Sequence, residues 1–218
     1  MTMSNLYAKE NMKHLGHLKE LAAEQLKAFN EFNAAVFKEG ALSKKEKEII
    51  AVAVTQVTQC PYCIDAHTKA AKKEGATLEE LTEAAFVTAA IEAGGVVTHG
   101  THVHQAKNQD ASDVLYSRSN LKSLGQLAKF APEGFKGYQA FSAASVKAGK
   151  LSTKFKEIIA VAVANATQCP YCIDVHTKNA DKEGATSEEL AEAIMVSSAI
   201  CAGGAYAHMA NMIQSYQD

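Results

Sequence analysis

The sequence predicts an all-α protein built from two tandem helical units. Three observations lead there. A pattern over residues 43–77 returns at 152–186 with a constant offset of 109 residues, apolar residues recur at helical spacing, and only three prolines interrupt 218 residues. Self-similarity at one long period divides a chain of this length into two units. These are assigned as 1–108 and 109–218, with the join near 105–112, where QAKNQDASD is polar and lacks apolar periodicity. The repeat also extends outward. Leu15, Gly16 and Leu18 match Leu124, Gly125 and Leu127, while Phe32 and Gly40 match Phe141 and Gly149. Gly94, Gly95 and His99 match Gly203, Gly204 and His208.

Within each unit the elements follow in order. Residues 13–37 read as one helix, because Leu15, Leu18, Leu21, Ala22, Leu26 and Phe29 fall three or four apart. Ser43 with Glu46 three residues on is a capping-box signature that opens a helix over 44–58. Ile49-Ile50-Ala51-Val52-Ala53-Val54 is rich in β-branched residues and would pass for a buried strand. It continues from Lys44 without turn residues, however, and the second unit has no proline after Pro170 to sit opposite a thioredoxin-like dithiol. A buried helix is therefore predicted. Cys-Pro-Tyr-Cys starts the next helix, with Pro61 at the first helical position, where its missing N–H costs nothing. Gly75 suits the C′ position that ends it. Thr77 and Glu80 repeat the capping box before a helix over 78–93.

Composition excludes several classes. With 47% hydrophobic and 21% charged residues the chain can bury a core, and a net charge of −2 without a basic stripe argues against nucleic acid. The stretches 84–97 and 194–207 are too short for a bilayer, and the N-terminal residues lack an apolar signal core, so no membrane partner is expected. The expected location is the cytoplasm, where paired cysteines are more often catalytic or metal-binding than structural.

Each unit carries a Glu, two Cys and a His at fixed spacing: Glu48, Cys60, Cys63 and His67, then Glu157, Cys169, Cys172 and His176. Cys60 would cap its helix and Cys63 would lie in the first turn. Unpaired N–H groups and the helix dipole favour a thiolate there, with pKa values of roughly 3.5–7.5 in such motifs. His67 follows Cys63 by one helical turn and can take its proton. Glu48 can be returned to the pair by antiparallel packing of adjacent helices. Other residues receive plainer readings. Cys201, which aligns with Glu92, is expected to be a buried structural cysteine, and the cluster His99, His102 and His104 a solvated helix end. Tyr62 and Tyr171 should pack against neighbouring helices, with a minor role in orienting substrate open to them, while Asp65 and Asp174 face solvent or support the first turn electrostatically. Thr55, Gln56 and Val57 against Ala164, Asn165 and Ala166 are the differences expected to line the two pockets.

Glu, eleven residues, Cys-x-x-Cys, three residues, His resembles the core motif of the AhpD-like alkylhydroperoxidases in the carboxymuconolactone decarboxylase superfamily. The resemblance covers nearly the whole chain as two tandem domains. It implies an all-α fold and a homo-oligomer, with a trimer forming a pseudo-hexamer. It also implies a thiol peroxidase in which Cys63 and Cys172 attack a hydroperoxide and Cys60 and Cys169 resolve the sulfenic acid to a disulfide. His67/His176 and Glu48/Glu157 would relay protons. An external dithiol, on a lipoyl-bearing or thioredoxin-like protein, would then reduce the disulfide. No cofactor or resident metal is expected. The chain departs from the family's best-known members at Tyr62 and Tyr171, where they carry a second His. Three other readings stay open: a dithiol–disulfide oxidoreductase without peroxidase activity, a metal-binding or redox-sensing module, and a lactone- or acid-processing enzyme that dispenses with the cysteines.

Overall fold

The computed structural model describes residues 7–107 and 114–217, and it is helical, with no strand among the described residues. The 108/109 boundary and most of the polar join lie outside the described residues. In the first half, a 3-10 segment at Lys9–His17 leads into α1 (Leu18–Leu21) and α2 (Ala23–Val36). Then come α3 (Lys44–Thr58), α4 (Pro61–Lys73), α5 (Leu78–His99) and α6 (Thr101–Lys107). The second half repeats this with a 3-10 segment at Arg118–Ser123, α7 (Leu124–Phe130), α8 (Pro132–Val146), α9 (Thr153–Ala166), α10 (Pro170–Lys182) and α11 (Ser187–Gln217).

The predicted helix over 13–37 is not continuous. Ala22 leaves the helical region at φ −154°, ψ 52°, and Ala131 does the same at φ −137°, ψ 60°. In the second half Pro132 enforces the break, because a proline disfavours helical backbone in the residue before it. The first half keeps the break with Ala23 in that place. The helix predicted over 78–93 runs on to His99, so Gly94 and Gly95 lie inside it instead of at a junction. Bare glycine there permits close approach: a Cβ on Gly94 would meet the Tyr138 hydroxyl at 3.0 Å.

α3 and α9 are the central helices. From Ile49 to Thr55, and from Phe155 to Ala164, every residue is buried. A helix apolar all round belongs inside a core and shows no stripe, which is why IIAVAV reads ambiguously in one dimension. Its helical start is fixed by the Ser43–Glu46 capping box, with both reciprocal hydrogen bonds present. α4 and α10 end in Schellman turns, with Gly75 at φ 84° and Gly184 at φ 82°. The Ala76 and Ala185 N–H groups reach back to Ala71 and Ala180.

The halves interlock. α11 packs on α3 as well as on its own α9, α5 packs on α9 as well as on its own α3, and α2 and α8 clasp the long helix of the opposite half. One continuous core contains Ile49, Ile50 and Val54 together with Ile158, Ile159 and Val163. Two reciprocal polar clamps lock the arrangement. Glu192 accepts from the Ala41 and Leu42 N–H groups and pairs with Lys47 at 3.1 Å. Glu83 accepts from Lys150 and Leu151 and pairs with Lys156 at 2.9 Å. Both lysines are buried and also donate to backbone carbonyls. Burial alone would raise the Glu83 pKa, but the two N–H donors and the Lys156 ammonium outweigh it and hold the carboxyl at about 2. Gly40 and Gly149 give the carboxylates room, since a Cβ would come within 2.0 Å of Glu192 Oε1 and 2.3 Å of Glu83 Oε1.

The length argument against a membrane does not survive. Leu78–Lys107 and Ser187–Gln217 are long and apolar enough to cross one by length and composition. Part of each helix is buried, Leu81, Ala84, Val87 and Ile91 in one and Leu190, Ala193, Val196 and Ile200 in the other, in the seams against α3 and α9, while Phe86, Val96, Met195 and Met212 are exposed.

Candidate active site

The eight predicted site residues form two clusters, each at the turn between a central helix and the helix after it. That turn is tight. Gln59 and Gln168 adopt φ 52° and 55°, the only non-glycine residues with positive φ among those described. They reverse the chain in one step, so that Cys60 and Cys169 become the N-cap residues of α4 and α10, with Pro61 and Pro170 at the first helical position. The Cys63 N–H points at Cys60 Sγ at 3.4 Å and the Cys172 N–H at Cys169 Sγ at 3.3 Å. The two sulfurs of each pair lie 2.7 Å apart.

The reversal also makes α3 and α4 antiparallel neighbours and returns Glu48 to His67. His67 Nδ1 lies 2.8 Å from Glu48 Oε2, and His176 Nδ1 lies 2.6 Å from Glu157 Oε2. A carboxylate only accepts, so Nδ1 carries the proton and Nε2 of a neutral ring is left as a base. The second pair is the more enclosed, its carboxylate side chain 4% exposed against 14% for Glu48. Asn179 also donates to Glu157 Oε1 at 3.2 Å, where the first half has Ala70.

Cys63 and His67 open together onto a cleft of about 180 Å³. Its apolar walls are Met12 and Phe29 from the first half and Ala199, Tyr206 and Ala207 from α11. Cys60, fully buried, sits behind Cys63. Ionisation within a pair is unequal. Burial, then the neighbouring Cys60 sulfur, push Cys63 up to about 12. Cys169 is drawn down to about 5 by its shared hydrogen with Cys172, which outweighs burial, aided by the Cys172 N–H, the Thr98 hydroxyl and the charge of His99. Cys172 is correspondingly pushed up, by Cys169 first and then by burial. In the second pair the charge therefore settles on Cys169, the helix-capping sulfur at which the Cys172 N–H points, while Cys172 holds the proton.

Several plainer readings need correction. Cys201 is exposed, on the same outer helix face as the exposed Glu92 to which it corresponds; that correspondence already carried the signal. His99 and His102 are not a solvated helix end. They pack with Tyr116 and Tyr171 at ring-centroid distances of 5.1–6.1 Å, and the Nε2 atom of each is buried. His208 likewise packs against Tyr7 and Tyr62 in the first site. The end of each long helix thus roofs the dithiol of the opposite half, which no local pattern encodes. Tyr62 and Tyr171 do pack against neighbouring helices as expected; both are buried, and their hydroxyls donate to the Ala8 and Leu115 carbonyls. Asp65 and Asp174 pair with Lys9 and Arg118, pinning each 3-10 segment over the dithiol helix. Thr55 is buried with its hydroxyl on the Val52 carbonyl, and Gln56 lines a separate surface cleft, so neither borders the dithiol. Among the described residues no three His, Cys, Asp or Glu side chains converge as a metal site.

An all-α, twice-repeated fold around a Glu–His–dithiol cluster defines a class, and comparison with known proteins gives it a name. The chain belongs to the carboxymuconolactone decarboxylase family, which matches over residues 23–106 and 132–214. It is 46% identical over 85 residues to uncharacterised protein 4 in the cox locus of Paracoccus denitrificans, covering 39% of this chain and 77% of that one. It is 32% identical over 97 residues to an uncharacterised Cupriavidus necator protein, covering 44% and 85%. Those relatives are each about as long as one repeat. In fold, the chain is similar to a Burkholderia xenovorans LB400 crystal structure provisionally assigned as a gamma-carboxymuconolactone decarboxylase subunit. The TM-score is 0.64 at 21% identity, over 97% of this chain and 92% of that one.

Proposed function

We propose that this protein is a thiol-dependent peroxidase that reduces organic hydroperoxides through a dithiol/disulfide cycle. The observation that carries the reading is the pair of sulfurs 2.7 Å apart at a helix start, beside a His whose Nδ1 is held by a carboxylate. Cys63 is the sulfur that borders the cleft, and Nε2 of His67, one helical turn along, takes its proton. The Cys63 thiolate attacks the outer oxygen of ROOH, so that an S–O bond forms, the O–O bond breaks and RO⁻ leaves. Nε2 of His67, protonated and steadied by Glu48, returns a proton to the alkoxide. Cys60 then attacks the sulfenic sulfur, releasing water and closing the disulfide. The balance is ROOH plus two thiols giving ROH, water and a disulfide, and an external dithiol on a lipoyl-bearing or thioredoxin-like partner resets the pair. The second site works in the same way through Cys172, Cys169, His176 and Glu157. Apolar cleft walls favour an organic substrate.

The test is rapid mixing of fully reduced protein with cumene hydroperoxide, counting thiols and recording intact mass. Loss of thiols with disulfide formation, far faster than free cysteine, is expected. Cys63→Ser combined with Cys172→Ser should abolish it. If that double variant keeps its turnover, the peroxidase reading is wrong, and disulfide exchange with a model dithiol becomes the activity to measure.

Association of copies into a trimer with pseudo-hexameric symmetry is part of this proposal. Exposed apolar residues recur at repeat-related positions, Leu21 and Phe130, Phe86 and Met195, Val103 and Met212, and suit a face presented twice per chain.

A further inference from the structure

The two sites carry the same four reacting residue types but differ in what surrounds them. Thr98, on α5 of the first half, places its Oγ1 3.7 Å from Cys169 Sγ. The position related by the repeat is Ala207, which shares a buried cluster with Cys60, Tyr62 and Cys63 in the first site. Asn179 holds Glu157, and Ala70 stands at the matching place. Tyr138 corresponds to Phe29, which forms a wall of the first cleft. Tyr138 lies within electrostatic reach of both Cys169 and Cys172. In all three comparisons the second site has a hydrogen-bonding group where the first has hydrocarbon.

We propose that the two dithiols are unequal by construction: Cys169–Cys172 ionises and is oxidised first, because Thr98 and Asn179 support it where Ala207 and Ala70 cannot. A thiolate gains from each donor aimed at it, and low local polarity magnifies the gain. The Thr98 hydroxyl also bonds the Gly94 and Gly95 carbonyls at 2.9 and 3.1 Å, which fixes its oxygen beside the sulfur. Asn179 acts one step away, holding the carboxylate that orients His176. Both are positioning residues. The titratable groups around the second pair are Tyr171 and His176 on its own helix, His99 on α5, His102 on α6, Tyr138 on α8 and Tyr116. Around the first they are Tyr62, His67, His208 and Tyr7, with Tyr206 of α11 across the cleft. Beside the second set, Thr98 brings its hydroxyl onto the Cys169 sulfur, and it does so from the opposite half.

The order of oxidation rests on the peroxidase reading, whereas the order of ionisation does not, so the two are tested separately. Reduced full-length protein is labelled with iodoacetamide between pH 4 and 9, and the rate at each cysteine is read by peptide mass spectrometry. The second pair should keep its labelling rate to lower pH than the first. Thr98→Val, which removes the hydroxyl at nearly constant shape, should shift that profile upward by about one pH unit, a roughly tenfold loss below the pKa. Ala207→Ser should move the first pair in the opposite direction, and Asn179→Ala should slow peroxide-driven oxidation of the second pair alone. Coincident profiles for the two pairs, or a Thr98→Val profile that does not move, would overturn the proposal. Unequal labelling without any peroxide consumption would instead sink the peroxidase reading and leave the inequality standing.

Discussion

At the scale of single residues, the sulfurs cannot work without the groups that place protons. Glu48 and Glu157 touch no sulfur; each holds one ring nitrogen of its histidine and so leaves the other free. Glu48→Gln together with Glu157→Gln keeps the shape but removes the acceptor-only partner. Peroxide turnover at neutral pH is expected to fall by about a hundredfold, measured at saturating hydroperoxide, while denaturation midpoints change little. These residues were legible in the sequence because the connection between α3 and α4 is too short to permit anything but antiparallel neighbours, which sends residue 48 back towards residue 67. His99, His102 and His208 were not legible. They reach a dithiol far away in the chain, and their local sequence contains nothing that refers to it.

At the scale of elements, the helices follow from their ends more than from their middles. Ser43 and Thr77 close capping boxes, Gly75 and Gly184 close Schellman turns, and each signal is visible in the sequence with its mechanism. The interior of α3 is less clear, because a helix buried on every side loses the 3.6-residue contrast that would identify it. Ser43→Ala therefore tests a signal on which the prediction of α3 leaned. It removes one accepted N–H and the Glu46 partner, and should cost about 1 kcal/mol, read as a lower urea midpoint with an unchanged slope. The break before α2 illustrates the opposite case. Pro132 announces it in the second half, while Ala22 makes the same bend with no local mark.

At the scale of the whole molecule, the repeat gave the number of units but not their interlocking. Helix periodicity says which face is apolar and not whose face meets it, so exchange of the long helices and of the Glu83 and Glu192 clamps had no one-dimensional signature. The clamps make the fold sensitive to acid. Glu83 ionises at about 2 in the folded chain against an ordinary 4.5, and Glu192 is drawn down the same way, its N–H and Lys47 contacts outweighing burial. A carboxylate whose folded pKa is depressed adds stability that is present above the ordinary value and is lost as pH falls towards the folded one. Urea midpoints should thus drop steeply between pH 5 and about 2 in the native chain and less steeply in Glu83→Gln/Glu192→Gln. At pH 7 that double variant should be less stable by about 3 kcal/mol or more, since each change strips a buried lysine of its counter-charge. The exchanged helices have one more consequence, and it concerns inheritance. Residue 98 is encoded in one half and felt at the thiol of the other, so a mutation there is expressed across the molecule. Identical copies of a one-repeat chain arranged in the same way would have to change both thiol centres at once. Joined in a single reading frame, the two copies are free to drift apart, and one can be altered while its twin stays as a safeguard.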